Sequence, residues 1–185
     1  MLNESLAIAQ SYRTGEPWAA ARERLLQEGA SALPKLASQT RALREVYDRI
    51  GQLTEAERRW MLEEADRAGQ QAMMWLAICR TYRFVREFAV EVISDRVASW
   101  RLELGHDVFD RFLAGKAEFD QSLAELSPST CAKLRQVLFR ILRESGLLSE
   151  RGRIETVWLP LRMKLLIEEN SPEDLRVFPG SEGAR

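Results

Sequence analysis

The sequence predicts an all-α protein, and three observations carry that prediction. Apolar residues recur at the i, i+3, i+4, i+7 spacing of an amphipathic helix, most persistently over residues 70–100 and 130–145. Six prolines and ten glycines in 185 residues leave long stretches free for helix. Only residues 154–159 (IETVWL) have strand character, so at most a short β-hairpin near residues 153–159 is expected.

Residues 3–14 form a first helix, with Leu6, Ile8, Ala9 and Tyr12 available for packing, and Gly15 breaks it. Pro17 opens a second helix, because a proline is tolerated where its missing N–H has no acceptor to serve. That helix runs through Trp18, Ala21, Leu25 and Leu26 to Gly29. A third follows Ser38-Gln39-Thr40, with Leu43, Val46, Tyr47 and Ile50 at helical spacing. These three make an N-terminal module over residues 1–52, read as a packing unit or as a helix-turn-helix-like module with Lys35, Arg41 and Arg44 near its third helix. The remainder, residues 53–185, is the main helical part, and the whole is compatible with one compact domain.

Thr54 and Glu57 have the spacing of a capping box, in which each side chain accepts from the other's backbone N–H. They open a charged helix that ends at Gly69. From residue 70 to about 100, Met74, Ile78, Thr81, Val85, Phe88, Val92 and Ile93 keep one face, which predicts the central core helix, bent or interrupted along its length. Arg80, Arg83 and Arg86 line one side of it near Tyr82. They read either as a basic patch for nucleic acid or, more simply, as arginines paired with Glu87 and other acids. His106 falls in a loop before a helix over residues 107–113. A short helix over residues 116–126 follows. After Pro160 a last helix packs through Leu161, Leu165 and Leu166.

The most informative stretch is residues 127–148, SPSTCAKLRQVLFRILRESGLL. Ser127, Pro128 and Ser129 are a helix start signal, and Gly146 a stop. Leu134, Val137, Leu138, Ile141 and Leu142 mark a buried face. At about 100° per residue, Lys133, Gln136, Arg140 and Arg143 fall together on the opposite face, with Arg135 at its margin. Arg151-Gly152-Arg153 then makes a basic turn, and the possible strand after it gives the C-terminal part a winged-helix-like character. Between Thr130 and Leu165 eight basic residues face three acids, Glu144, Glu150 and Glu155, a local net charge of +5. The whole chain has a formal charge of −1 and a pI near 6.0, so the charge is segregated.

Recognisable catalytic chemistry is missing. The sequence has no GxxxxGK[ST] loop, no GxGxxG fingerprint and no GxSxG elbow. One histidine and two distant cysteines, Cys79 and Cys131, lack metal-ligand spacing and read as non-ligating, with the thiols buried and structural. No enzymatic activity, cofactor or metal is expected. The N-terminus lacks the basic region and apolar core of a secretory leader, and residues 68–79 (AGQQAMMWLAIC) are too few to span a bilayer, which takes about 20. They read as core.

Three stretches in this order and spacing, ESLAIAQSYRTGEPWAAARERLLQEG, MMWLAICRTYRFVREFAVEVI and STCAKLRQVLFRILRESGLL, span nearly the whole chain. In them the chain resembles the BrxA family of BREX bacteriophage-defence systems. The resemblance implies a cytoplasmic helical bundle, similar in fold to the RNA-binding antitermination factor NusB. It also implies a protein without known enzymatic activity that binds double-stranded DNA in phage restriction. It carries no residue-level motif for DNA contact.

The resulting expectation is a non-enzymatic, cytoplasmic binder of duplex DNA. Lys133, Arg135, Arg140 and Arg143 meet phosphates, Gln136 reaches a base edge, and Arg151 and Arg153 extend the surface. The alternatives are a protein-interaction subunit that docks this face on other BREX proteins, favoured if Phe139 is exposed, and an RNA-binding helical module.

Overall fold

The computed structural model describes residues 44–180 together with Glu16, Ala20, Glu23, Arg24 and Gln27. The expectations for the first two helices and for Lys35 and Arg41 otherwise lie outside the described residues. Helix dominates and no strand is formed among the described residues, as expected of an all-α chain. The chain divides into two compact units, Met1–Thr81 and Tyr82–Arg185.

In the first unit, residues 44–50 are helical and bury Val46, Tyr47 and Ile50. Helix α1 (Glu55–Glu63) opens with the expected capping box: Thr54 Oγ1 accepts from the Glu57 N–H at 3.2 Å, and Glu57 Oε2 accepts from the Thr54 N–H at 2.7 Å. Helix α2 (Arg67–Thr81) is buried on every side from Ala72 to Cys79, which is how an all-apolar helix behaves in a protein core. Gly69 does not break the chain here. It lies in the first turn of α2, where a Cβ would stand 2.8 Å from the Trp60 ring, so its role is close approach. Asp66 Oδ1 accepts from the Gly69 N–H at 2.8 Å and starts the helix. The fully buried Glu57 carboxylate also receives Arg80, through Nη1 at 2.7 Å and Nη2 at 2.8 Å. Arg80 Nη1 donates as well to the Gln52 carbonyl at 3.0 Å.

The expected long helix over residues 70–100 is interrupted at Tyr82, whose backbone is extended (φ −118°, ψ 101°). In the second unit, α3 (Arg83–Glu87) continues through a π-helical turn, Phe88–Ile93, into α4 (Ser94–Ala98). Helix α5 (His106–Ala117) packs on this run through four phenylalanines. Phe112 meets Phe84 and Phe88 edge-on at 5.2 Å each, and Phe109 lies 6.0 and 6.2 Å from the same two rings. Lys116 belongs to α5, so the short helix expected over 116–126 shrinks to α6 (Gln121–Ala124), capped by Asp120. His106 is likewise not in a loop but is the first residue of α5.

Helix α7 (Pro128–Glu144) starts on Ser127, whose Oγ accepts from the Thr130 N–H. It stops at Gly146 with φ +74°. There the Leu147 N–H donates to Leu142 O and the Gly146 N–H to Arg143 O, the paired bonds of a Schellman motif. The chain then reverses over residues 149–152. Only two isolated antiparallel bridges form, Leu148↔Ile154 and Glu103↔Arg153, so there is neither a strand over 154–159 nor a wing. Ile154 finds partners in Leu102 and Leu148, but beyond Glu155 no ladder continues: Trp158 is exposed and Pro160 has no N–H to give. Helix α8 (Leu161–Asn170) buries Met163, Leu166 and Ile167, not Leu161 and Leu165, which stay exposed. A final 3-10 turn, Pro172–Val177, is tied down where Arg86 donates to the buried Asp174, and where Ser94 Oγ donates to Arg176 O at 3.1 Å.

Candidate nucleic-acid interface

Helix α7 sets the geometry of the site. Its core face holds Leu138, Ile141 and Leu142 as expected, but it is shifted along the circumference. Leu134 is partly exposed, whereas Phe139 is only 3% exposed because the His106 ring meets it edge-on at 4.8 Å. One turn earlier, Arg135 Nη1 donates to both oxygens of Asp110 at 2.7 Å. Residue 106 therefore meets 139 and residue 110 meets 135, so α5 and α7 run antiparallel with their register fixed at two points.

That packing leaves the opposite face of α7 outward. Lys133, Gln136 and Arg140 are exposed, and Lys133 Nζ donates to Gln136 Oε1 at 3.2 Å. Arg143 is half-buried, its Nε 3.8 Å from Glu150 Oε2. From Lys133 to Arg143 the helix rises ten steps, about 15 Å along the axis at about 1.5 Å per residue. Duplex DNA presents a phosphate about every 3.4 Å of axis on each strand, so the row has the length of several phosphates.

The structure brings the turn to the same end of α7. Arg151 and Arg153 are exposed on either side of Gly152, which takes φ +77°, a conformation glycine adopts at no steric cost. The turn is held firmly: Gly152 O accepts from the Leu104 N–H at 2.8 Å, Arg153 O from the Ser149 N–H at 2.8 Å, and Leu102 O from the Ile154 N–H at 2.7 Å. Arg135 stands apart from the row, paired with Asp110.

The arginines of the central run are each paired with an acid. Arg80 serves the buried Glu57, Arg83 Nε donates to Glu87 at 2.6 Å, and Arg86 serves Asp174. This is the paired arrangement, not a common patch. Lys116 completes a small network, with Nζ 2.8 Å from Glu87 and 2.7 Å from Glu91 and 5.2 Å above the Phe112 ring. Hydrogen bonds from Lys116 and then Arg83 hold the Glu87 carboxyl below its ordinary range. The hydrogen bonds that Lys116 donates to Glu87 and then to Glu91 raise its own pKa.

Two exposed apolar features had no sequence signal. Trp158, Leu161 and Leu165 lie outward around the start of α8, because that helix carries two overlapping apolar stripes and buries the other one. Trp100, after α4, is 86% exposed. Among the described residues no group of three or more His, Cys, Asp or Glu could hold a metal ion, and no helix is long and apolar enough to cross a membrane. Cys79 is buried and Cys131 half-buried.

No curated protein sequence matches the chain. The fold is similar to the crystal structure of an uncharacterized protein from Magnetospirillum magneticum, at 19% identity with a TM-score of 0.75. That match covers 96% of this chain and 91% of the other, and it shows the fold alone. The family model for BrxA matches residues 1–171.

Proposed function

The chain belongs to the BrxA family and is thus BREX-associated, and from that premise we propose that it is a non-enzymatic, cytoplasmic binder of duplex DNA. The observation that supports this most is the outward row of α7, Lys133, Gln136 and Arg140 with Arg143 behind them, continued by Arg151 and Arg153 on a pinned turn. The cations meet backbone phosphates, and Gln136 is able to reach a base edge. Arg135, held by Asp110, flanks the contact. Contacts made mainly to phosphates carry no sequence information directly, so weak sequence preference is expected.

Anisotropy of a labelled random duplex, measured across a salt series, tests the proposal. Each neutralised phosphate adds about −0.9 to the slope of log K against log salt. Contacts from Lys133, Arg140, Arg143, Arg151 and Arg153 therefore give a slope of about −4 to −5. Arg140→Glu with Arg143→Glu flattens it by about 2. Unchanged affinity and slope in the folded double variant, or displacement of the duplex by an RNA hairpin, overturns the proposal.

A second reading is a subunit that docks on another BREX protein. Phe139 gives it no support, being buried, but the exposed Trp158, Leu161 and Leu165 beside Arg162 favour it. A stoichiometric partner that survives nuclease treatment and is lost on Leu161→Asp decides for it.

A further inference from the structure

Trp100 occupies a position where a helix ordinarily ends in glycine. After α4 the Arg101 N–H donates to Arg96 O at 2.8 Å and the Trp100 N–H to Val97 O at 3.0 Å. These are the same two bonds that close α7, where the residue at the corresponding place is Gly146. Trp100 alone among the described non-glycine residues has a positive φ, +56°. For an L-residue with a bulky side chain this conformation is strained, and the motif would close with less strain on glycine. Nothing is gained in packing, since the indole is 86% exposed. A strained residue that presents its side chain to solvent is explained by what the side chain meets there.

The indole borders a hollow of about 350 Å³, also lined by Arg96, Arg101, Leu102, Glu103 and Arg153. Small-molecule sites begin at about 300 Å³. Arg96 is committed to the frame, donating to Glu103 O. Arg101 pairs with Asp95 at 2.8 Å, but both side chains are well exposed, and such a surface pair is readily exchanged for another anion. Arg153 is exposed, and its backbone is bridged to Glu103, so the basic turn and the hollow form one surface. Glu103 supplies an acceptor for an exocyclic amine.

We propose that this hollow takes one unpaired nucleotide of a DNA strand, its base stacked on the Trp100 indole and its phosphate met by Arg101 and Arg153. An indole face with arginines beside it is the chemistry that binds single-stranded nucleic acid without sequence reading. The proposal rests on the DNA-binding reading through Arg153, which belongs to both surfaces. It predicts that a duplex with a short single-stranded extension binds more tightly than the same duplex blunt.

Anisotropy with a blunt duplex, a tailed duplex and a single strand, on the full chain, separates the two readings. For the wild-type protein the tailed duplex is expected to bind about tenfold more tightly, the range of one base stacked on an aromatic ring. Trp100→Gly is expected to abolish that preference while leaving blunt-duplex affinity unchanged. It should also raise the melting temperature by about 2–4 °C, because the strain is relieved. Trp100→Phe keeps most of the preference. Equal binding of blunt and tailed duplex by the wild type, or a preference that survives Trp100→Gly, overturns this site and leaves duplex binding standing. Wild-type binding of the single strand that is lost on Trp100→Gly, with no binding of the blunt duplex, overturns the duplex reading and supports this site.

Discussion

Arg80→Met isolates the cost of a buried charge in the first unit. Glu57 is fully buried, and four donated hydrogen-bond contacts surround the pair: two from Arg80 to the carboxylate, one from Arg80 to Gln52 O, and one from the Thr54 N–H to Glu57. Methionine roughly keeps the aliphatic volume of the stem and removes the three arginine contacts. The carboxylate is then left in the core with the Thr54 N–H. Breaking a buried pair from one side costs about 3–5 kcal/mol, most of it the uncompensated charge. At about 2–4 °C per kcal/mol for a chain of this size, the melting temperature falls by about 6–20 °C. The companion variant, Arg80→Met with Glu57→Gln, removes the charge along with its partner and should recover a large part of the loss. A double-mutant cycle in urea, with Glu57→Gln as the fourth corner, measures the coupling. A loss below about 1 kcal/mol for Arg80→Met, or no recovery in the double variant, refutes the view that Arg80 is there for Glu57.

Two further outcomes follow from the second unit. Phe139→Ala is expected to cost about 3–5 kcal/mol by urea denaturation, since it empties a buried site between α7 and His106. The Lys116 network makes stability depend on pH in a defined way. Because the Glu87 carboxyl is lowered, its contribution is complete above the ordinary glutamate range and drains away as pH falls through its folded value. Because Lys116 is raised, its contribution is complete below the ordinary lysine range and is lost only as pH rises through its folded value. Lys116→Met should therefore cost about 1 kcal/mol near neutrality and almost nothing once Glu87 is protonated, which melting curves across an acid series will show.

What the sequence made legible was what is decided locally. The capping box at Thr54 and Glu57, the start of α7 at Ser127 and its stop at Gly146 each depend on residues within a few positions, and each formed as read. The cation row of α7 was legible for the same reason, as a periodic pattern on one helix. Which edge of that helix is covered was not, because the partner that buries Phe139 and engages Arg135 is α5, 25 to 33 residues away in sequence. Separations of 23 and 88 residues likewise hid the assignments of Arg80 to Glu57 and of Arg86 to Asp174. In α8 the sequence LRMKLLIEEN offers two overlapping apolar stripes, and only the neighbouring elements select Met163, Leu166 and Ile167 over Leu161 and Leu165. The strand reading of IETVWL failed because β-propensity needs a ladder, and only its first residues have one. Trp100 gave no signal because its meaning lies in a dihedral angle.

The π-helical turn at Phe88–Ile93 gives the second unit an indexing function. Such a turn takes up one residue more than an α-helical turn would, and each residue advances a helix by about 100°. Phe84 before it and Phe88 at its first residue are locked against Phe109 and Phe112; downstream of it come Arg96, Trp100 and Arg101. A single-residue deletion inside this turn would leave a regular helix with its aromatic anchor intact. It would also swing the helix that follows about a quarter-turn round its axis relative to that anchor, re-aiming Arg96, Trp100 and Arg101. The aim of that surface is thus set by one surplus residue about two turns away.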